Sequence, residues 1–228
     1  MRISWRPTFA ALLLLGQAAA AQPANIDARL VLPPPPAAGS LRALAELEEL
    51  RHLQSTSTPQ QIAAAAYDDT HEDGTIFAAI LGPAFDMAKL PATAALLEAV
   101  GKAEEDATKA PKAFFHRDRP WIVEPAIRTC TPHKPGPAVT SYPSGHATVG
   151  FAMAEVMAAL VPEKAQPLLG RATVFAENRL VCGYHFRSDI VAGQVLGTVL
   201  AQRLMADAVF QARMADARRE LQAARIIP

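Results

Sequence analysis

The sequence predicts an all-α protein: a single helical-bundle domain preceded by an extended, proline-rich arm. Three observations lead there. Half of the 228 residues are hydrophobic but only 6% are aromatic, and much of that apolar content is alanine and leucine, which favour helix. Nineteen prolines supply sharp stops between segments. No alternating strand pattern recurs, and no internal repeat is visible. The length suits one domain with a substantial core.

Residues 1–21 read as a secretory signal peptide rather than part of the fold. Arg2 and Arg6 precede the apolar run FAALLLL, and small residues follow up to Ala21, after which cleavage is expected. Residues 22–40 form the arm. Within it LVLPPPPAAGS, residues 30–40, carries four consecutive prolines and is expected to be extended throughout. The helical domain then occupies residues 41–228.

Ser40 is a good N-cap for the helix LRALAELEELRHLQ, and Pro59 suits the first turn of QQIAAAAYDD. DDTHEDG, residues 68–74, resembles half of a calcium loop, but position twelve counted from Asp69 is Ile80, not glutamate. It is read as an acidic turn. TIFAAILG and residues 91–109 are expected to be helical, with the acidic run 104–106 on a solvated face. Pro120 redirects the chain, and residues 121–142, rich in Pro, Gly and Thr, read as a long loop. Three helices follow, over about 144–160, 163–182 and 187–224.

Charge and hydropathy exclude some classes. Loss of residues 1–21 removes two of the 22 basic residues and none of the 22 acidic ones, so the remaining chain is close to neutral. That balance gives no support to nucleic-acid binding. The best membrane candidate, residues 190–210, is interrupted by Gln194, Gln202, Arg203 and Asp207, so no stable membrane insertion is expected. Cys130 and Cys182 would close a loop of about 50 residues, worth roughly 4 kcal/mol in the chain-entropy model if bridged. In an oxidising compartment the bridge is favoured over two buried thiols.

Chemistry concentrates in three segments. His185 and Asp189 are four apart in ENRLVCGYHFRSDIVAG, so a carboxylate can fix one ring nitrogen and leave the other nitrogen's lone pair free. In SYPSGH a helix starting near Ser144 presents unpaired backbone N–H groups, Gly145 permits close approach of an anion, and His146 adds a proton donor. Lys112 and Arg119, seven apart, can share a helix face, and Arg179 supplies a third cation. Cations, amides and two imidazoles suit a phosphate group. No histidine pair has metal-ligand spacing, so no metal and no cofactor is assigned.

The segments KAFFHRDRP, PSGH and NRLVCGYHFRSD, in this order, resemble the three-part signature of the type-2 phosphatidic acid phosphatase superfamily. Asn178 stands where the third motif has serine. Within the superfamily the chain looks most like the class A non-specific bacterial acid phosphatases, whose N-terminal arm LPPPPAAGS also resembles; Thr140 and Ala147 depart from that class's pattern.

The resemblance implies an exported, metal-independent acid phosphatase, periplasmic or secreted, that hydrolyses phosphate monoesters. His185 would be the nucleophile, Asp189 its orienter and His146 the acid for the leaving alcohol. Lys112, Arg119, Ser144, Gly145 and Arg179 would bind the phosphate. His185 would be neutral and His146 protonated before reaction. Vanadate would inhibit, and the apolar helices leave room for a homodimer. The alternatives are a vanadium-dependent haloperoxidase, a soluble periplasmic lipid or pyrophosphate phosphatase, and a non-catalytic phosphate-binding protein.

Overall fold

The computed structural model describes residues 26–133 and 139–228. The expected signal peptide, residues 1–21, and the start of the arm lie outside the described residues. Among the described residues the regular structure is entirely helical, as the composition predicts.

The arm opens with a single helical turn, α1 (Ala28–Val31), capped by the Asp27 carboxylate. This corrects the expectation that residues 30–40 are extended throughout; proline restrains the chain only from Pro33, and Leu30 and Val31 precede it. Ala28 and Leu32 bury themselves against Tyr142, Ala192 and Leu196, and the Tyr142 hydroxyl donates to the Pro33 carbonyl. The arm is thereby packed onto the segment that carries SYPSGH.

Helix α2 (Leu41–Thr56) starts at Ser40, whose hydroxyl accepts from the Ala43 amide. Helix α3 (Pro59–Thr70) starts with a capping box between Thr58 and Gln61. The acidic stretch 68–74 begins in its last turn and runs into a 3₁₀ turn (Gly74–Phe77) and the short α4 (Ala78–Leu81). Helix α5 (Pro91–Phe115) runs beyond the expected residue 109 and contains Pro111. It ends at His116, whose amide still donates to the Lys112 carbonyl and whose positive φ of 50° turns the chain out of the helix. Lys112 and Arg119 therefore do not share a helix face, as their spacing suggests. They converge because the chain turns back between them into α6 (Pro120–Val123), a short helix inside the expected loop.

Helix α7 (Gly145–Leu160) is the central element. Its buried residues lie on every side, and it packs most extensively against α9 (Arg187–Ala206) and α8 (Ala165–Val181), with α5 on a further face. A helix that is apolar all round belongs in an interior. Close approach of α9 depends on Gly193 and Gly197: a Cβ at Gly193 would lie 2.6 Å from the Ser144 carbonyl oxygen, and one at Gly197 2.4 Å from that of Thr148. The expected final helix over 187–224 is two helices. Asp207 is extended, and its carboxylate caps α10 (Ala208–Ala223) through the Phe210 amide at 2.9 Å.

Cys130 and Cys182 are at disulfide distance, with sulfurs 2.13 Å apart. The bridge ties the chain after α6 to the end of α8. No helix among the described residues is long and apolar enough to cross a membrane.

Candidate active site

The N-termini of α7 and α9 and the C-terminal ends of α5 and α8 meet around one cavity of about 900 Å³. Lys112, Arg119, Gly145, His146, Arg179 and His185 all line it. Ser144 and Asp189 lie just beneath, both fully buried. Segments more than 70 residues apart in the chain thus supply one site.

Four contacts build its floor. The Ser144 amide donates to the Asp189 carbonyl at 3.0 Å, which ties the start of α7 to the first turn of α9. The Ser144 hydroxyl caps α7 by accepting from the Ala147 amide. Asp189 accepts from the Ser141 hydroxyl at 2.6 Å and from the Phe186 amide at 2.8 Å. The SYPSGH segment is therefore held by the carboxylate and backbone of the residue that faces His185.

His185 precedes α9 rather than opening it. Its Nδ1 lies 3.5 Å from Asp189 Oδ2, and Arg119 Nη1 stands 2.9 Å from its Nε2. Arg119 Nη1 also comes within 3.5 Å of Nδ1, so the guanidinium lies across the ring; Nε2 is the nearer nitrogen, and Nδ1 is the one beside Asp189. Arg119 Nη1 is itself aimed by the Tyr184 carbonyl at 2.9 Å. His146 sits in the first turn of α7, its ring against Phe175 with centroids 5.5 Å apart. Its Nδ1 is 3.1 Å from Glu72 Oε1, and its buried Nε2 has no hydrogen-bond partner.

Burial and the cation cluster govern ionisation here. Desolvation, then Arg119 and Arg179, push the His185 pKa well below its ordinary value. Desolvation and Arg179 do the same to His146. Both imidazoles are thereby favoured as neutral. This differs from the expectation of a protonated His146, because desolvation and three neighbouring cations oppose another positive charge. Desolvation lowers Lys112, and it lowers Arg119 to about 10, which leaves that guanidinium charged at neutral pH. Asp189 is pushed up to about 6 by complete burial, despite the opposing pull of Arg117.

Four residues of the site escaped the sequence reading. Arg117 bridges Asp189 Oδ1 at 2.7 Å, the Ser188 hydroxyl at 2.6 Å and Glu46 Oε2 at 2.8 Å. Asp69 pairs with Arg179, and Glu72 faces His146, so the acidic end of α3 and the turn that follows it form one wall of the cavity. Glu104 is only 7% exposed and lines the cavity next to Lys112 and Gly145, which corrects the solvated face expected for 104–106 at its first residue; Glu105 and Asp106 are exposed as expected. The spacing of Glu104, Thr108 and Lys112, four apart each, is the available signal. Asn178, at the departure from the third motif, donates to Asp68 at 2.7 Å and does not line the cavity.

The model of the PAP2 superfamily matches residues 89–213, which take in all three motif segments and more than half of the chain. The chain belongs to the PAP2 superfamily. Among curated relatives, the acid phosphatase of Zymomonas mobilis subsp. mobilis is 32% identical over 203 residues, covering 87% of this chain and 77% of that protein. The non-specific acid phosphatase of Providencia stuartii is 29% identical over 201 residues, covering 86% and 81%. Among solved structures, the transmembrane PAP2 type phosphatidylglycerolphosphate phosphatase from Bacillus subtilis superposes with a TM-score of 0.54 at 16% identity, over 70% of this chain and 82% of that one. That last likeness is one of fold. The superfamily read from the three motifs is thus the one that the PAP2 model and the curated relatives give.

Proposed function

We propose that this PAP2 chain is an exported phosphatase that hydrolyses phosphate monoesters through a phosphohistidine on His185, without a metal ion. The observation that carries the reading is the position of His185 Nε2. It lies 2.9 Å from Arg119, on the opposite side of the ring from the nitrogen that faces Asp189, and His185 lines the same cavity as His146. The names of the curated relatives support a phosphatase; the motif residues support the mechanism.

Lys112, Arg119 and Arg179 neutralise the phosphoryl oxygens, assisted by the Ser144 hydroxyl and the Gly145 amide at the start of α7. Charge-assisted bonds from fixed guanidinium forks orient the group as well as hold it. As the phosphoryl oxygens take over the Arg119 guanidinium, the His185 Nε2 lone pair is released to attack phosphorus in line while the ester P–O bond breaks. Asp189 keeps the Nδ1 proton in place and stabilises the charge that develops on the ring. His146 delivers a proton to the leaving oxygen, then takes one from the water that hydrolyses the phosphohistidine. Phosphoryl transfer asks chiefly for positioning and charge stabilisation, and three cations with helix-end amides supply both.

Turnover of p-nitrophenyl phosphate by the purified chain lacking residues 1–21 tests the reading. Steady turnover that vanadate inhibits and a chelator leaves intact is expected. Saturable phosphate binding with no turnover would point to a binder instead. For export, recovery of the full-length chain from the periplasm or medium, shortened by residues 1–21, is the expected result.

A further inference from the structure

The stretch DDTHEDG has no part in the three motifs, yet it places Glu72 against the proposed acid. Glu72 Oε1 is 3.1 Å from His146 Nδ1, on the ring edge opposite the unpartnered Nε2. Phe175 fixes the ring plane. The pair repeats, on the leaving-group side, the carboxylate–imidazole geometry of Asp189 and His185. Burial differs: Asp189 is wholly buried, whereas the Glu72 side chain keeps 40% of its surface accessible. A proton on Glu72 can therefore exchange with solvent.

We propose, on the phosphatase reading above, that Glu72 and His146 act as one acid, with Glu72 holding the proton and His146 passing it on. Glu72 is then a positioning and proton-holding residue that works through the imidazole. In the first half-reaction the Glu72 Oε–H proton moves to His146 Nδ1. The Nε2–H proton moves to the leaving oxygen as the P–O bond breaks, and the ring stays neutral. In the second, water gives a proton to Nε2 and its oxygen bonds phosphorus. The P–N bond electrons return to His185 Nε2, and the Nδ1 proton goes back to Glu72. No net proton is gained or lost by the pair.

The surroundings favour this division. Lys112 on α5, Arg119 before α6, Arg179 on α8 and His185 before α9 all face the pair, and they disfavour an imidazolium. On the acidic side stand Asp69 in the last turn of α3 and Glu104 on α5. Desolvation, then Glu104, push Glu72 up to about 7, while Arg179 and Lys112 oppose the shift. A dianionic phosphate in the cavity adds to the field that keeps the proton on the pair.

The test compares kcat/KM for p-nitrophenyl phosphate, whose leaving group needs no proton, with kcat/KM for an alkyl phosphate, whose leaving group does. Glu72→Gln should lower the alkyl value by about tenfold or more beyond its loss on the nitrophenyl ester. It should also remove the fall of the alkyl rate above about pH 7. Glu72→Asp, which keeps a carboxyl, should restore part of the discrimination and the basic limb. Equal losses on both esters, or an unchanged basic limb in Glu72→Gln, overturn the proposal. Should Glu72→Gln fail to fold, a Glu72→Asp enzyme that discriminates like wild type supports it, and one with the basic limb erased overturns it. If wild type turns over neither ester, the phosphatase reading itself fails, which is a distinguishable result.

Discussion

Arg117 Nη1 stands 2.7 Å from Asp189 Oδ1, so the carboxylate that faces His185 also anchors a buried guanidinium. The same guanidinium holds Glu46 at 2.8 Å, which fastens α2 to the start of α9. Orientation of the proposed nucleophile and attachment of α2 thus share one side chain.

Arg117→Met should leave Asp189 and Glu46 buried without their cation. Breaking such a pair from one side costs about 3–5 kcal/mol. Urea unfolding should register a loss of that size, and the Asp189 pKa should rise further. Arg117→Lys should retain part of the stability but not the three-way bridge.

Gly193→Ala tests the register of α7 on α9. The added methyl would meet the Ser144 carbonyl oxygen at 2.6 Å and the Ala147 Cβ at 2.7 Å. Backbone must move, at a cost of about 1–3 kcal/mol. Because Ser144, Gly145 and His146 move with it, kcat should fall by about tenfold or more, although Gly193 does not line the cavity.

The bridge from Cys130 to Cys182 spans 52 residues of sequence. Its removal by Cys130→Ser with Cys182→Ser should cost about 2–4 kcal/mol by the loop-entropy argument. The loss should appear as a lower midpoint of thermal unfolding and should match that of the reduced wild type.

Activity should be bell-shaped in pH. Asp189 must be ionised to hold the His185 proton, and its pKa of about 6 sets the acid limb. Glu72, at about 7, sets the basic limb for poor leaving groups. The pH profile of kcat/KM reports these as values of the coupled site. Stability carries the opposite sign. Both carboxyls are raised from ordinary values of 3.8 and 4.5, so between about 4 and 7 the folded chain binds more protons than the unfolded one. Their combined contribution therefore makes stability fall as pH rises through that interval, which pH-dependent urea midpoints can read.

Much of the site is legible in the sequence because its parts are local. PSGH opens a helix whose cap, glycine and imidazole are consecutive, and His185 and Asp189 are separated by one turn. The helices were likewise visible from Ser40, Pro59, Pro91 and Ser144. What sequence could not give is which residues meet across the bundle. Arg117 stands two positions before Arg119, yet it turns to the opposite side, toward partners 71 and 72 residues away. Glu104 looks solvated within an acidic run, and only the packing of α5 on α7 decides that it is buried. The break at Asp207 escaped because a helical apolar pattern continues on both sides of it. The placement of Lys112 beside Arg119 came from a turn at His116, not from helical spacing.

In the proposed mechanism two imidazoles flank one phosphoryl group, His185 to receive it and His146 to help release it. The direct measurement is rapid acid- or base-quench followed by mass spectrometry of the His146→Ala enzyme with p-nitrophenyl phosphate. The account predicts a phosphohistidine that accumulates on His185, stable to base and labile to acid, and none in His185→Ala, whose turnover should be below about a tenth of wild type. Phosphate on any other residue, or a His185→Ala enzyme that keeps more activity than that, contradicts it.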